Sequence, residues 1–224
     1  MEKLGVIGII GAMDVEVEGI IAQMTDVKRT KLGGSTFYSG VIGGRSVVAV
    51  QSGIGKVNAS FVASALALKF GAESILMTGV CGGVGLAPLV PVVPDGFVQH
   101  DVDMIGEAKG HIDVVDEIVI KPDSELSSLL AQASDGVRGI MATGEQFIGS
   151  PLQIDAILAD FPNVIAVDME SGAVAQVCAR LGVKFACIKI ISDGGDENAY
   201  YDFKTEASNK SISSVLKVLN EKPL

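Results

Sequence analysis

VIAVDMESGAVAQVCARLGVKFACIKIISDGGD, residues 164–196, is the stretch whose reading decides the fold. Val164 to Val167 is a short apolar run, mostly β-branched, that reads as a buried strand. Asp168, Met169 and Glu170 follow, and the small residues Ser171, Gly172 and Ala173 open a helix. Val174, Val177, Cys178 and Leu181 recur on one helical face, and Gly182 closes that helix as a C′ glycine. Phe185 to Ile191 is a second, nearly all-apolar strand. It runs into a polar loop, Ser192-Asp193-Gly194-Gly195-Asp196. Strand, helix and strand in this order predict an α/β fold. Glu170 and Asp193 fall just beyond the ends of two buried strands, where open α/β sheets bind ligands. Asp168, beside a helix start, reads as a group that closes the turn.

Composition agrees with buried strands covered by helices. Of the 224 residues, 48% are hydrophobic and only 5% aromatic, with no Trp. A net charge of −10 argues against nucleic acid and against an anionic membrane surface, because both are met with Lys and Arg. Cys81, Cys178 and Cys187 form no CxxC pair, and each sits among apolar residues. They read as reduced thiols in a cytoplasmic protein. Ser74 to Pro94 carries no charge, but its glycines and prolines exclude one continuous membrane helix. Leu4 to Ala12 begins the fold and has no features of an export signal. No repeat or linker divides the chain, so residues 1–224 read as a single domain.

Working outward toward the amino terminus, Gly5 to Ile10 is a first strand. Asp14, Glu16 and Glu18 lie in the first turns of a helix running toward Met24, where acidic residues offset the helix dipole. Glu16, one turn in, is the one placed to face the end of the sheet. Ser35–Val41 and Arg45–Gln51 form a hairpin across Gly43-Gly44. Gly55-Lys56 invites a phosphate-loop reading, but Val50 and Val57 occupy the required glycine and hydroxyl positions. A helix then spans Val57–Phe70. Ser74–Met77 is a strand that leaves through the glycine turn Thr78-Gly79-Val80-Cys81-Gly82-Gly83. His100-Asp101 and His111 lack the spacing of a helical zinc site, and no metal is expected. Residues 105–119 form a polar connection, followed by a helix over Lys121–Ala133 with a cap signal at Ser124. Val137–Ala142 is a strand, and the loop after it exposes Phe147, either a core plug or a platform for a flat ring. Helices follow over Pro151–Asp160 and Thr205–Asn220.

Seven of these pieces stand in one order: GIIGAMDVEV (8–17), SGIGKVNA (52–59), TGVCGG (78–83), QHDVD (99–103), TGEQFI (143–148), AVDMES (166–171) and ISDGGDE (191–197). Together they resemble the 5′-methylthioadenosine/S-adenosylhomocysteine nucleosidases of the nucleoside phosphorylase superfamily, over nearly the whole chain. The resemblance implies a mixed central β-sheet flanked by helices, a homodimer and no cofactor. It implies Glu16 as the base that activates water and Asp193 as the acid that protonates adenine N7. Glu170 then holds the ribose hydroxyls with Met169 under the sugar, Phe147 stacks on adenine, and the Ile148 backbone reads the base edge. Gly82, Ile54, Ser192 and Tyr201 join the substrate-binding set. Lys189 does so too, at a position where the family commonly carries Arg, and Val80 stands where it commonly carries Ser.

The chemistry is consistent with those types. Breaking an N-glycosidic bond builds positive charge on the ribose and negative charge on the base. One carboxylate must activate water and one acid must neutralise the base, much as in glycoside hydrolysis. Three alternatives differ in their needs. A phosphorylase needs converging arginines, and this chain has four, none in a glycine turn. The Val80 and Lys189 departures leave room for a hydrolase acting on a related 6-substituted nucleoside. A non-catalytic nucleoside binder need not keep all three of Glu16, Glu170 and Asp193.

Overall fold

The structure, a computed structural model, describes residues 5–194 and 197–221, with the side chains of 197–200 and 202 left out. Leu4, Gly195 and Asp196 therefore lie outside the described residues. The strands are β1 (Val6–Gly11), β2 (Thr25–Leu32), β3 (Ser35–Ile42), β4 (Arg45–Gln51), β5 (Ala72–Gly83), β6 (Pro91–Val92), β7 (Gly96–Gln99), β8 (Ile140–Thr143), β9 (Val164–Asp168) and β10 (Lys184–Asp193). The helices are α1 (Glu18–Ala22), α2 (Lys56–Leu68), α3 (Ser124–Ser134), α4 (Pro151–Asp160), α5 (Ser171–Leu181) and α6 (Glu197–Asn220), with one 3-10 turn over Asp14–Glu16.

One mixed sheet carries all the strands, in the order β2-β3-β4-β1-β5-β9-β8-β7, and β10 pairs with both β5 and β6. The central strands β4, β1, β5 and β10 are parallel neighbours. Their side chains alternate between two cores. Ile10, Val48, Val50, Ile75 and Met77 meet α2 and α5 on one face. Ile7, Ile9, Val47, Ala49 and Leu76 meet the residues of α1, α3 and α6 on the other. Burial on both faces is why these strands are apolar along their whole length. Small residues on α2 (Ala59, Ala63) and α5 (Ala173, Ala175) let the two helices pack together over the sheet.

Five readings of the sequence change in position. The glycine turn is not a turn: β5 continues through Thr78 to Gly83 because β10 pairs beside it as far as Gly82. Asp193 consequently closes β10 instead of lying beyond it. The helix expected from Asp14 to Met24 is a 3-10 turn followed by the five-residue α1. Asp123, not Ser124, caps α3, accepting the Leu126 N–H at 3.0 Å. Strand β2, a polar edge paired to β3 across Gly33-Gly34, had no apolar signal to find it by. The last helix begins at Glu197, eight residues before the expected start at Thr205.

Candidate active site

The carboxyl ends of β1, β5, β9 and β10 and the loop after β8 surround a cavity of about 550 Å³, within the usual range for small-molecule sites. Its lining includes Glu16, Ile54, Gly82, Phe147, Ile148, Met169, Glu170, Ser192, Asp193 and Tyr201. Ten residues singled out from sequence therefore share one wall. The eleventh, Lys189, does not line the cavity. It is buried behind it, with Nζ 3.4 Å from Asp168 Oδ2 and 3.5 Å from Glu170 Oε2.

Glu16 is only 1% exposed, so it does not behave as a solvated dipole partner. The 3-10 turn after β1 folds its side chain back over the strand end. Oε2 accepts the N–H groups of Ala12 (2.7 Å) and Met13 (2.9 Å), and Oε1 accepts that of Val80 (2.9 Å). Three backbone donors on one buried carboxylate fix its orientation without a cation. Gly79 explains the glycine beneath it: a Cβ there would overlap the Glu16 carboxylate, and its φ of +150° suits glycine. Gly82 differs: a Cβ there would meet Asp193 Oδ1 at 3.5 Å, an ordinary contact, and would crowd the Val167 side chain at 2.9 Å. Gly79 thus admits the Glu16 carboxylate, and Gly82 makes room for Val167.

Asp193 is 2% exposed, and its Oδ2 accepts the Ser192 hydroxyl at 2.9 Å. Ser192 in turn reaches the Cys81 carbonyl at 3.3 Å. Glu170 sits at the start of α5 and is held from two sides, by the Gly55 N–H at 3.0 Å and by Lys189. Burial pushes its carboxyl up to about 7; Asp168 and Glu16 add to that, while Lys189 and the Gly55 N–H oppose it. For Lys189 burial works against the charge, but the carboxylates of Asp168, Glu170 and Glu16 outweigh it and hold the ammonium well above its ordinary range. Asp168 accepts the Ser171 N–H at 3.0 Å, as a turn-closing residue does, and the Thr143 hydroxyl at 2.6 Å. It also lines the cavity and pairs with Lys189, two contacts its position beside a helix start did not suggest.

Phe147 is 45% exposed and Ile54 53%, both at the cavity wall, whereas Ile148 is buried. Phe147 is thus not a core plug. Sequence reasoning did not single out Ala12, Met13 or Gln146, which also line the cavity. Their only signal is adjacency to Glu16 and Phe147. Among the described lining residues there is no Arg and no Lys. Arg45 is buried elsewhere against the Glu221 carbonyl, and Arg138 pairs with Asp95. His100 packs against Gly144 and His111 lies between Glu107 and Asp116, so the two histidines do not converge.

Comparison with known proteins matches residues 6–221 to the phosphorylase superfamily. A 5′-methylthioadenosine/S-adenosylhomocysteine nucleosidase of Actinobacillus succinogenes is 37% identical, over 96% of this chain and 98% of that protein. The crystal structure of the S-adenosylhomocysteine nucleosidase of Streptococcus pyogenes, in complex with 5-methylthiotubericidin, superposes with a TM-score of 0.94 at 31% identity, covering 100% and 99% of the two chains. The futalosine hydrolase of Helicobacter pylori has the same fold, with a TM-score of 0.91 at 28% identity over 98% of each chain.

Proposed function

The chain belongs to the 5′-methylthioadenosine/S-adenosylhomocysteine nucleosidases of the phosphorylase superfamily, and from that premise we propose that it hydrolyses the N-glycosidic bond of those two nucleosides. The products are adenine and the 5′-thioribose. The observation that carries hydrolysis over phosphorolysis is the lining itself: four buried carboxylic side chains, Glu16, Asp168, Glu170 and Asp193, and no cationic side chain among the described lining residues to receive phosphate.

In this reading the ribose hydroxyls bind Glu170, which must be ionised to accept both hydrogen bonds. Met169 lies under the sugar, Ile54 and Tyr201 bound the 5′-thio group, and adenine stacks on Phe147 with its edge toward the Ile148 backbone. The bond from C1′ to N9 breaks as the ribose gains positive charge. Asp193 delivers its proton to N7, so adenine leaves neutral. Glu16 takes a proton from water, whose oxygen bonds to C1′. The three N–H groups on Glu16 leave one of its about four lone-pair sites, on Oε1, for that water. Lys189 acts behind the wall, balancing Asp168 and Glu170, and not as a direct substrate ligand.

The whole chain works as one domain and as a homodimer. Support for the pair comes from exposed apolar side chains around the cavity mouth and the nearby start of α2, Ile54, Val57, Phe61 and Phe147, together with Met104 and Ile105. Sedimentation at micromolar concentration should give a dimer; an active monomer would contradict it. A cytoplasmic location is supported by three free, buried thiols. Among the described residues no helix is long and apolar enough to cross a membrane.

Hydrolysis in water enriched with ¹⁸O tests the reaction. The label should enter the thioribose and not adenine, and added phosphate should leave the product unchanged. A sugar 1-phosphate product would replace this reading with phosphorolysis.

A further inference from the structure

Two sequence features remain outside the site: the Gly55-Lys56 pair that is not a phosphate loop, and Asp101 of the His-Asp segment. The structure joins them. Lys56 opens α2, and its Nζ donates to Asp101 Oδ1 at 2.6 Å and to Gln99 Oε1 at 3.2 Å. The other Asp101 oxygen, Oδ2, accepts the Glu145 N–H at 2.8 Å. The Glu145 carboxylate returns to the start, its Oε2 accepting the Lys56 N–H at 2.8 Å. Three residues far apart in sequence close a ring.

That ring ties together three segments. One is the 52–56 turn, which carries Ile54. The second is the end of β7. The third is the loop that presents Phe147 and Ile148 to the cavity. The start of α2 is shared: its Gly55 N–H binds Glu170 at 3.0 Å and the next N–H binds Glu145. Both carboxylates sit where a helix dipole favours negative charge. Gly55, at φ +99°, has to be glycine, because a Cβ would overlap the Glu145 carboxylate. Asp101 is held below the usual carboxylate range; burial opposes this, and the bonds from Lys56 and the Glu145 N–H outweigh it.

We propose that Lys56, Asp101 and Glu145 are positioning residues that clamp the Phe147 loop to the start of α2. An isolated pair at 20% and 25% side-chain exposure would contribute little. Here the pair is one side of a ring whose other bonds are to backbone N–H groups, so losing a member releases the loop. A loop that is competent for only a fraction of the time weakens apparent affinity by that fraction. The loop holds the base equally before and during bond breaking, so KM should rise while kcat is kept.

The inference rests on the nucleosidase reading for its substrate and its kinetic test, but not for its exchange test. Near-isosteric Asp101→Asn and Glu145→Gln, together with Lys56→Met and the charge-keeping Lys56→Arg, are compared with wild type in the full chain. Amide hydrogen exchange over residues 144–149 needs no ligand. It should quicken about tenfold in the first three variants and much less in Lys56→Arg. KM for methylthioadenosine should rise about tenfold with kcat within about twofold, and the Lys56→Met/Asp101→Asn double variant should be no worse than either single one. Wild-type exchange in folded Asp101→Asn and Glu145→Gln would overturn the clamp, as would a fall in kcat at unchanged KM. Failure of wild type to release adenine would overturn the nucleosidase reading instead, leaving the exchange result to decide the clamp.

Discussion

Replacing Glu16 by Gln removes one acceptor from a carboxylate on which three backbone N–H groups converge. Oε2 serves Ala12 and Met13, and Oε1 serves Val80. An amide has one oxygen. Turned toward Ala12 and Met13, it puts its NH₂ against the Val80 N–H, two donors face to face in a site 1% exposed. One buried unsatisfied donor costs about 1–3 kcal/mol. In a chain of this size each kcal/mol lowers Tm by roughly 2–4 °C. Loss of the base should reduce turnover by about 10²–10⁴-fold. Asp14 and Glu18 are the controls: both are exposed, and the Asp14 carboxylate accepts the N–H of its neighbour, Val15. Asp14→Asn and Glu18→Gln should stay within about 0.5 kcal/mol of wild type and fully active. The assay is adenine release per folded molecule, with the folded fraction read from the melting curve. Folded Glu16→Gln turning over near the wild-type rate would remove Glu16 from the mechanism and leave the water without a base.

Three further outcomes follow from the same geometry. Asp193→Asn keeps the hydrogen bond from Ser192 but has no proton to give; turnover should fall by about 10²–10⁴-fold with adenosine-analogue affinity kept within a few-fold, measured by calorimetry. Glu170 binds hydroxyls only when ionised, and its carboxyl is raised to about 7, so analogue affinity should fall as pH drops through about 7; Glu170→Gln should flatten that profile. Gly79→Ala should cost activity and stability together, because its Cβ displaces the Glu16 carboxylate, whereas Gly34→Ala, with open space at its Cβ but φ +87°, should cost stability alone.

The sheet was legible where burial on both faces makes strands continuously apolar, as in residues 185–191 and 74–77. It was illegible at β2, whose residues are exposed along an edge and show no pattern to separate them from a loop. The glycine segment misled because glycines suggest a turn, and the pairing of β10 as far as Gly82 and of β9 at Gly82 and Gly83 makes them strand. Residues 197–204 begin a helix without an apolar stripe to announce it. For the site, Glu170 and Asp193 could be assigned to strand ends because they stand three and two residues after short apolar runs. Glu16 could be named but not its burial, since the Val80 N–H that holds it lies 64 residues away. The Lys56–Asp101–Glu145 ring spans separations of 45, 44 and 89 residues, and no local pattern foretells it.

Adenine release from methylthioadenosine and from S-adenosylhomocysteine, followed side by side in phosphate-free buffer, tests the central claim most directly. The account predicts steady turnover of both substrates, with one adenine and one thioribose formed per nucleoside consumed. Tight binding of either nucleoside without adenine release, or release only after phosphate is added, would contradict it.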